Sequence, residues 1–299
     1  MCAVVQWACV TVAGMAAEYT GTNSLIIRPV NGNRFRWCFD HDSTKSGSAA
    51  RCIVRIAESA TDSVTYVDPA PTVAQIGNTA ANWLASTTAN STARAYRIVI
   101  DDGDTSGLAW MHMMVNANSA TGVWTWGFIG DYVPALSADT YNSCVVHRNL
   151  ASEGISAMQQ IGSPTAGAIS RLHHIRSYDG TIKSSFGGLL IPQGDLGTIS
   201  QFPTPGSGYA GGINFMRCPV FDRYTNGATI GTQPLLTRGW IPNIHTPQHS
   251  GAGSFAPALE DFTYTAWAPG ALFRIYTQNT SGAPWMIIEE TETYYPPTD

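Results

Sequence analysis

Asp101, Asp102 and Asp104 crowd around Gly103 in the run DDGDTSG at 101–107. Several oxygen ligands from one tight loop are what a calcium ion requires. The run lacks the further Glu or Asp at a fixed offset that completes such a site. A turn between two strands accounts for the same residues without an ion. The run DHDSTKSG at 40–47 is weaker, because Lys45 stands where a cation would, and it reads as the loop of a hairpin over 34–57. His173 and His174 are adjacent, so on a strand they point to opposite faces and cannot chelate one metal together. His245 and His249 have a spacing that serves on a helix, but Pro247 lies between them and Pro242 just before, which excludes one. His112 and His147 read as strand residues with hydrogen-bonded rings.

Nucleophiles and acid pairs offer as little. No Gly-x-Ser-x-Gly elbow exists, and GSGYAGG at 206–212 has the wrong spacing and no preceding strand. A phosphate-cradling loop needs a helix start after its glycines, and here a strand follows. Glycosidic hydrolysis needs two carboxyl groups flanking the sugar bond. Asp131, Asp139, Glu260 and Asp261 pair on paper only, as in any chain of this length. Asp131 after Gly130 reads instead as a turn held by side-chain to backbone hydrogen bonds. The sequence therefore assigns no catalytic, cofactor-binding or metal-binding residue, and no enzyme is expected. The remaining signal is aromatic: Trp110, Trp124, Trp126, Trp240, Trp267 and Trp285 sit in or beside strand patterns. Buried, they are core; exposed, they are flat platforms for sugars or partner proteins. Trp124 and Trp126 share one strand face and read as core, whereas Trp240 lies beside a proline-rich turn.

The elements that carry these residues are strands. Apolar alternation with a period of two recurs, and long helical periodicity does not. Expected strands are Val4–Val12, Ser24–Pro29, Arg34–Phe39, Arg51–Ala57, Ser63–Val67, Arg94–Asp101, Ala109–Asn116, Gly122–Ile129 and Asn142–His147 in the first half. In the second half they are Leu172–Ser177, Gly188–Ile191, Phe215–Phe221, Pro234–Trp240, Asp261–Ala266, Ala271–Thr277 and Trp285–Glu290. Clusters of Gly, Pro, Asn, Asp and Ser separate them. At most two short helices are expected, over Asn78–Ala85 and Ala151–Ile161. The fold class is all-β, a sandwich or jelly-roll-like architecture with long Gly/Pro-rich loops. The tract ASTTANSTA at 85–93 divides the chain into 1–92 and 93–299 if it is a linker, and leaves one continuous domain if it is a surface loop. The Gly/Pro-dense stretch from Gly187 to Gly212 reads as a long loop of functional or interfacial kind.

Charged residues make up only 12% of the 299, about half the usual share. A surface poor in charge suits a subunit packed against neighbours. The net charge of −5, with scattered basic residues, argues against nucleic acid. The apolar start MCAVVQWACVTVAGMAAEY lacks the basic region of a signal peptide and is too short and interrupted to span a membrane. None of the six cysteines shares a zinc or redox spacing. Pairing Phe35, Trp37 and Phe39 with Ile56, Val54 and Cys52 puts apolar groups on one face and turns Cys38 away from Cys52, so all six read as reduced.

Four segments stand out: WLASTTANSTARAYRIVIDDG (83–103), FIGDYVPALSADTYNSCVVH (128–147), LLTRGWIPNIHTP (235–247) and PWMIIEETETY (284–294). Over roughly 34–294 their order resembles a family of tailed-bacteriophage virion proteins associated with tail and baseplate, in which an aromatic-Gly-Asp run follows a Trp-rich strand and an Arg-Gly-x-x-Pro-x-x-x-x-Pro turn precedes the last strands. Here those features are Phe128, Gly130 and Asp131, then Arg238, Gly239, Pro242 and Pro247. The N-terminal stretch is shorter than the family's. The resemblance implies a virion structural protein of the tail region, made in the host cytoplasm and assembling with other tail proteins and with itself in a symmetric homo-oligomer. Arg238, Trp240, Pro242 and Pro247 are its expected contact residues. An alternative is a β-sandwich module binding a host glycan; a glycoside hydrolase or esterase ranks third.

Overall fold

A computed structural model describes residues 2–41, 50–71, 82–86, 96–118, 123–146, 172–181, 188–189, 215–222, 236–247, 261–263, 272–278 and 285–290. The chain is all-β, with antiparallel sheets and one short helix among the described residues. The expected second helix, Ala151–Ile161, lies outside them, as does most of 187–212.

The first turns are a correction. Val4–Val12 is expected as a strand, yet Cys2–Gln6 forms α1 and Trp7–Val12 continues it as a π-helical turn. Val5, Ala8 and Cys9 are buried, at spacings of three and four that place them on one helical face. Gly14, at φ +67, then reverses the chain.

Strands β1 (Ala16–Thr20), β2 (Ser24–Arg28), β3 (Arg36–Asp40) and β4 (Ala50–Ala57) follow in a meander. Trp37 faces Ile56 and Phe39 faces Val54, a register two residues away from the expected pairing of Phe35, Trp37 and Phe39 with Ile56, Val54 and Cys52. A shift of two leaves every side chain on its expected face. Cys52 accordingly packs in the main core, while Cys38 joins Ile26 and Ala57 on the other face. A small ribbon of β5 (Ser59–Ala60) and β6 (Tyr66–Val67) comes next. The sheet closes on β7 (Asn82–Ser86), paired to β4, so 82–85 is strand where Asn78–Ala85 is expected as helix. Tertiary packing overrides the Ala-rich helix propensity: the Trp83 indole donates to Val146 O at 2.9 Å and sits edge-on to Phe39.

The second sheet runs in the order β13-β12-β10-β9-β8, where β8 is Tyr96–Asp102, β9 Ala109–Asn118, β10 Val123–Asp131, β12 Ser143–Val146 and β13 Leu172–His174. The acidic run is the β8–β9 hairpin turn, as expected. Asp101 Oδ1 accepts the Gly103 N–H at 2.7 Å, and Asp102 Oδ1 accepts that of Asp104 at 3.0 Å. The third sheet comprises β11 (Val133–Pro134), β14 (Gly188–Leu189), β15 (Phe215–Asp222), β16 (Leu236–Pro247), β17 (Asp261–Thr263), β18 (Leu272–Gln278) and β19 (Trp285–Glu290). One apolar cluster joins Val5, Trp37, Phe39 and Trp83 to Met111, Ile129 and Val145, drawing on both sides of residue 92. A second holds Trp110, Phe128 and Tyr132 against Cys218, Val220 and Ile241.

Candidate functional site

The Arg-Gly-x-x-Pro run lies inside β16, ahead of the last strands β17, β18 and β19. Along one edge Trp240 pairs with Pro219, and along the other with Val133. Between Trp240 and His245 the register against β15 breaks, leaving a bulge that holds Ile241, Pro242, Asn243 and Ile244. Asn243 takes φ +52, a left-handed conformation that Asn tolerates better than most residues. The bulge is fastened from within. His112, buried beside Trp110 and Phe128, bonds through Nε2 to the Pro242 carbonyl at 2.8 Å. Burial holds the His112 imidazole down at about 4, so the ring is neutral and donates its single proton to that carbonyl. The expected hydrogen-bonded ring at His112 is thus present; His147 lies outside the described residues.

Arg238 is expected at a contact surface, and the structure turns it inward, only 2% exposed. Its Nε lies 2.9 Å from Asp139 Oδ2 and its Nη2 2.6 Å from Asp139 Oδ1, a two-pronged ion pair. Nη1 donates to Arg176 O at 2.7 Å, and Nη2 to Tyr141 O at 3.2 Å. The guanidinium covers the Tyr132 ring at 5.8 Å, and the Tyr132 hydroxyl completes the cluster by donating to Asp139 at 3.2 Å. A planar cation with five donors is needed to serve all of these acceptors at once, and lysine would not. Next to it, Gly239 has no room for a side chain, since a Cβ would lie 2.8 Å from Tyr132 Cδ2 and closer still to Val133 O. Arg238 and Gly239 are therefore fixed by internal packing. Trp240 and Pro242 stay half-buried, and of Pro247 only its place at the end of β16 is described.

The aromatic-Gly-Asp run builds a second buried polar cluster. Gly130 has φ +125. Asp131 Oδ2 accepts the backbone N–H of Asn33 at 3.0 Å and of Ala109 at 3.2 Å, and Oδ1 accepts the Ser143 hydroxyl. Asn33 Nδ2 donates in turn to Asn142 Oδ1 at 2.8 Å. The expected side-chain to backbone bonds are made, but to distant segments rather than to a local turn, so Asp131 clasps the β2–β3 loop onto the second sheet. Sequence spacing gives no sign of the partner Asn33, nor of Arg238 meeting Asp139, because those bonds span 98 and 99 residues. Asp131 and Asp139 are both buried, and each accepts hydrogen bonds from its own set of donors.

Burial raises the Asp131 carboxyl to about 6, against the opposing pull of Ser143, Asn33 and Ala109. A folded-state value above the unfolded one means that the folded protein binds the proton more tightly. This group's contribution to stability is then present in acid and is lost as pH rises from about 4 to about 6. The difference in unfolding free energy between wild type and Asp131→Asn will change across that window by on the order of 2–3 kcal/mol. Urea denaturation of both proteins at stepped pH measures it, and a constant difference refutes it.

No protein-family model and no curated protein matches this chain.

Proposed function

We propose that this chain is a structural subunit of a tailed-phage virion, placed in the tail or baseplate region and working by symmetric contact with copies of itself and with other tail proteins. One observation carries the proposal: the Arg238 anchor gathers segments that each turn an apolar side chain toward solvent. Leu136, three residues from Asp139, is 51% exposed, and Tyr178, two residues from Arg176, is 39% exposed. Trp240, two residues from Arg238, is half-buried. Rigid backbone presenting aromatic and aliphatic side chains, with few charges to desolvate, favours stable association. The scarcity of charge along the whole sequence and the order of its aromatic and turn motifs support the same assignment.

The glycan-binding alternative draws on aromatic platforms, and Trp37, Trp83 and Trp110 are buried. Among tryptophans with described side-chain exposure, that leaves Trp240 to serve it. Tryptophan fluorescence titrated with host surface polysaccharide separates the two readings, since the subunit reading expects no change.

Analytical ultracentrifugation of the purified chain should show a discrete oligomer, and mass spectrometry of particles from the encoding phage should find the chain at a fixed stoichiometry. Trp240→Ala should weaken self-association at least tenfold, equivalent to about 1.4 kcal/mol, without altering the monomer's far-UV circular dichroism. A monomer at high concentration that is also missing from particles defeats the proposal.

A further inference from the structure

Alternation along β4 turns Cys52, Val54 and Ile56 into the main core and leaves Arg55 on the other face of the sheet, opposite Cys38. That face is apolar: Ile26, Cys38 and Ala57 are buried there, with Tyr19 and the ribbon residues Ala60 and Tyr66 packed against them. Arg55 is only 7% exposed, and its guanidinium lies 5.5 Å from the centre of the Tyr66 ring. No hydrogen bond or ion pair among the described residues includes that guanidinium. The Tyr66 hydroxyl is buried and likewise has no hydrogen-bond partner among them. We propose that Arg55 and the Tyr66 hydroxyl form a binding site for a small oxyanion of the carboxylate or phosphate class. This does not depend on the assembly role proposed above.

The neighbouring charges are already engaged elsewhere. Arg36 holds Glu18 at 2.8 and 3.2 Å and the Glu58 carbonyl at 2.9 Å. Arg176 holds Glu58 and, at 3.3 Å, Asp68. Asp62 accepts the N–H groups of Val64 and Thr65 at 2.8 and 2.9 Å, closing the turn of the ribbon. Asp40 stands on the same face as Arg55, opposite Ile53, and its field reaches Tyr66, yet it makes no ion pair with Arg55.

A buried cation is ordinarily paired. The contact with the Tyr66 ring offsets part of the cost of burial, but it uses none of the five guanidinium N–H donors. Burial also holds the Tyr66 phenol well above its usual range, so at neutral pH the hydroxyl is protonated and able to donate. Two donor groups and one positive charge within apolar walls select an acceptor that is small and negative. Carboxylate and phosphate oxygens match the guanidinium fork two at a time, and the low polarity of the surroundings strengthens the attraction.

The full-length protein would be titrated with inorganic phosphate and, separately, with acetate, at an ionic strength fixed with sodium chloride, and binding read by calorimetry. At least one of the two ions should bind saturably to wild type. Tyr66→Phe keeps the ring and removes one donor, so it should weaken that binding about tenfold. Arg55→Met should abolish it, and without the ion should unfold at a urea concentration no lower than wild type, because an unpaired buried charge is removed. Should methionine prevent folding, Arg55→Lys keeps the charge but not the fork and should weaken binding at least tenfold. Wild type that binds neither ion overturns the proposal. So does binding that is unchanged in Arg55→Met, in Arg55→Lys or in Tyr66→Phe.

Discussion

Replacing Arg238 with Met will destabilise the fold by roughly 3–5 kcal/mol, read as a shift in the urea midpoint at neutral pH. The side chain is 2% exposed and its partner Asp139 3%, so water cannot take the place of the lost guanidinium. Asp139 would be left buried with the Tyr132 hydroxyl and the Tyr141 N–H as donors, and the carbonyls of Arg176 and Tyr141 would each lose one. The magnitude reflects the stranded charge more than the net value of the pair. The double variant Arg238→Met with Asp139→Leu should therefore recover much of the loss, because a buried ion pair replaced by apolar groups of similar size is often close to neutral. A single variant within 1 kcal/mol of wild type would show that the cluster is hydrated and not the anchor described here. Self-association should fall in the single variant too, since the loops carrying Leu136 and Tyr178 would lose their common tether.

The strands were legible because their chemistry is local. The buried faces of β3 and β4 follow from alternation alone, though not their register, which sets Trp37 against Ile56 and Phe39 against Val54, two residues from the expected pairing. The Asp101–Gly107 hairpin follows from residues that bond to their own neighbours. The N-terminal helix was missed although its signal was present: Val5, Ala8 and Cys9 recur at helical spacing within a run so uniformly apolar that alternation and helical period both fit it. The strand at Asn82–Ser86 was misread for a different reason. Its Ala-rich approach favours helix, and only Trp83, packed over Gly127 and Phe39, decides for strand. Such a decision is made by contacts between sheets, which propensity does not contain.

The polar clusters were hidden in the same way. Residues 238 and 239 stand out in sequence as a turn signature, which suggested a surface. Their real constraint is the close approach of Val133 and Tyr132 on one side and the carboxylate of Asp139 on the other. Asp139 itself is an unremarkable acid in a loop until the fold places it opposite Arg238. Spacing reveals residues that act on their neighbours; residues that act across about a hundred positions are revealed by burial, which sequence records only as an occasional charged residue among apolar ones.

Gly130→Ala should be nearly as damaging as the loss of Arg238, at about 3 kcal/mol or more, and its comparison with Gly107→Ala isolates the cause. Both glycines lie at positive φ, +125 for Gly130 and +69 for Gly107. Gly107 has nothing within 4 Å of an added Cβ, so alanine there meets only the left-handed penalty of about 1–2 kcal/mol. At Gly130 the Cβ would stand 2.5 Å from Trp110 Cα and 3.0 Å from Trp37 Cζ2, and would overlap Ala109 O. Two of these are backbone atoms of β9, which cannot swing aside as a side chain does. Relief requires β9 and β10 to separate, and separation pulls the Asp131 carboxylate away from the Ala109 N–H that it holds at 3.2 Å. The Gly130 variant should therefore flatten the Asp131 titration near pH 6 as well as lower the melting temperature, whereas the Gly107 variant lowers stability and leaves that titration in place. Equal losses from the two substitutions would mean that backbone conformation alone accounts for Gly130, and that the close packing of β9 on β10 contributes nothing.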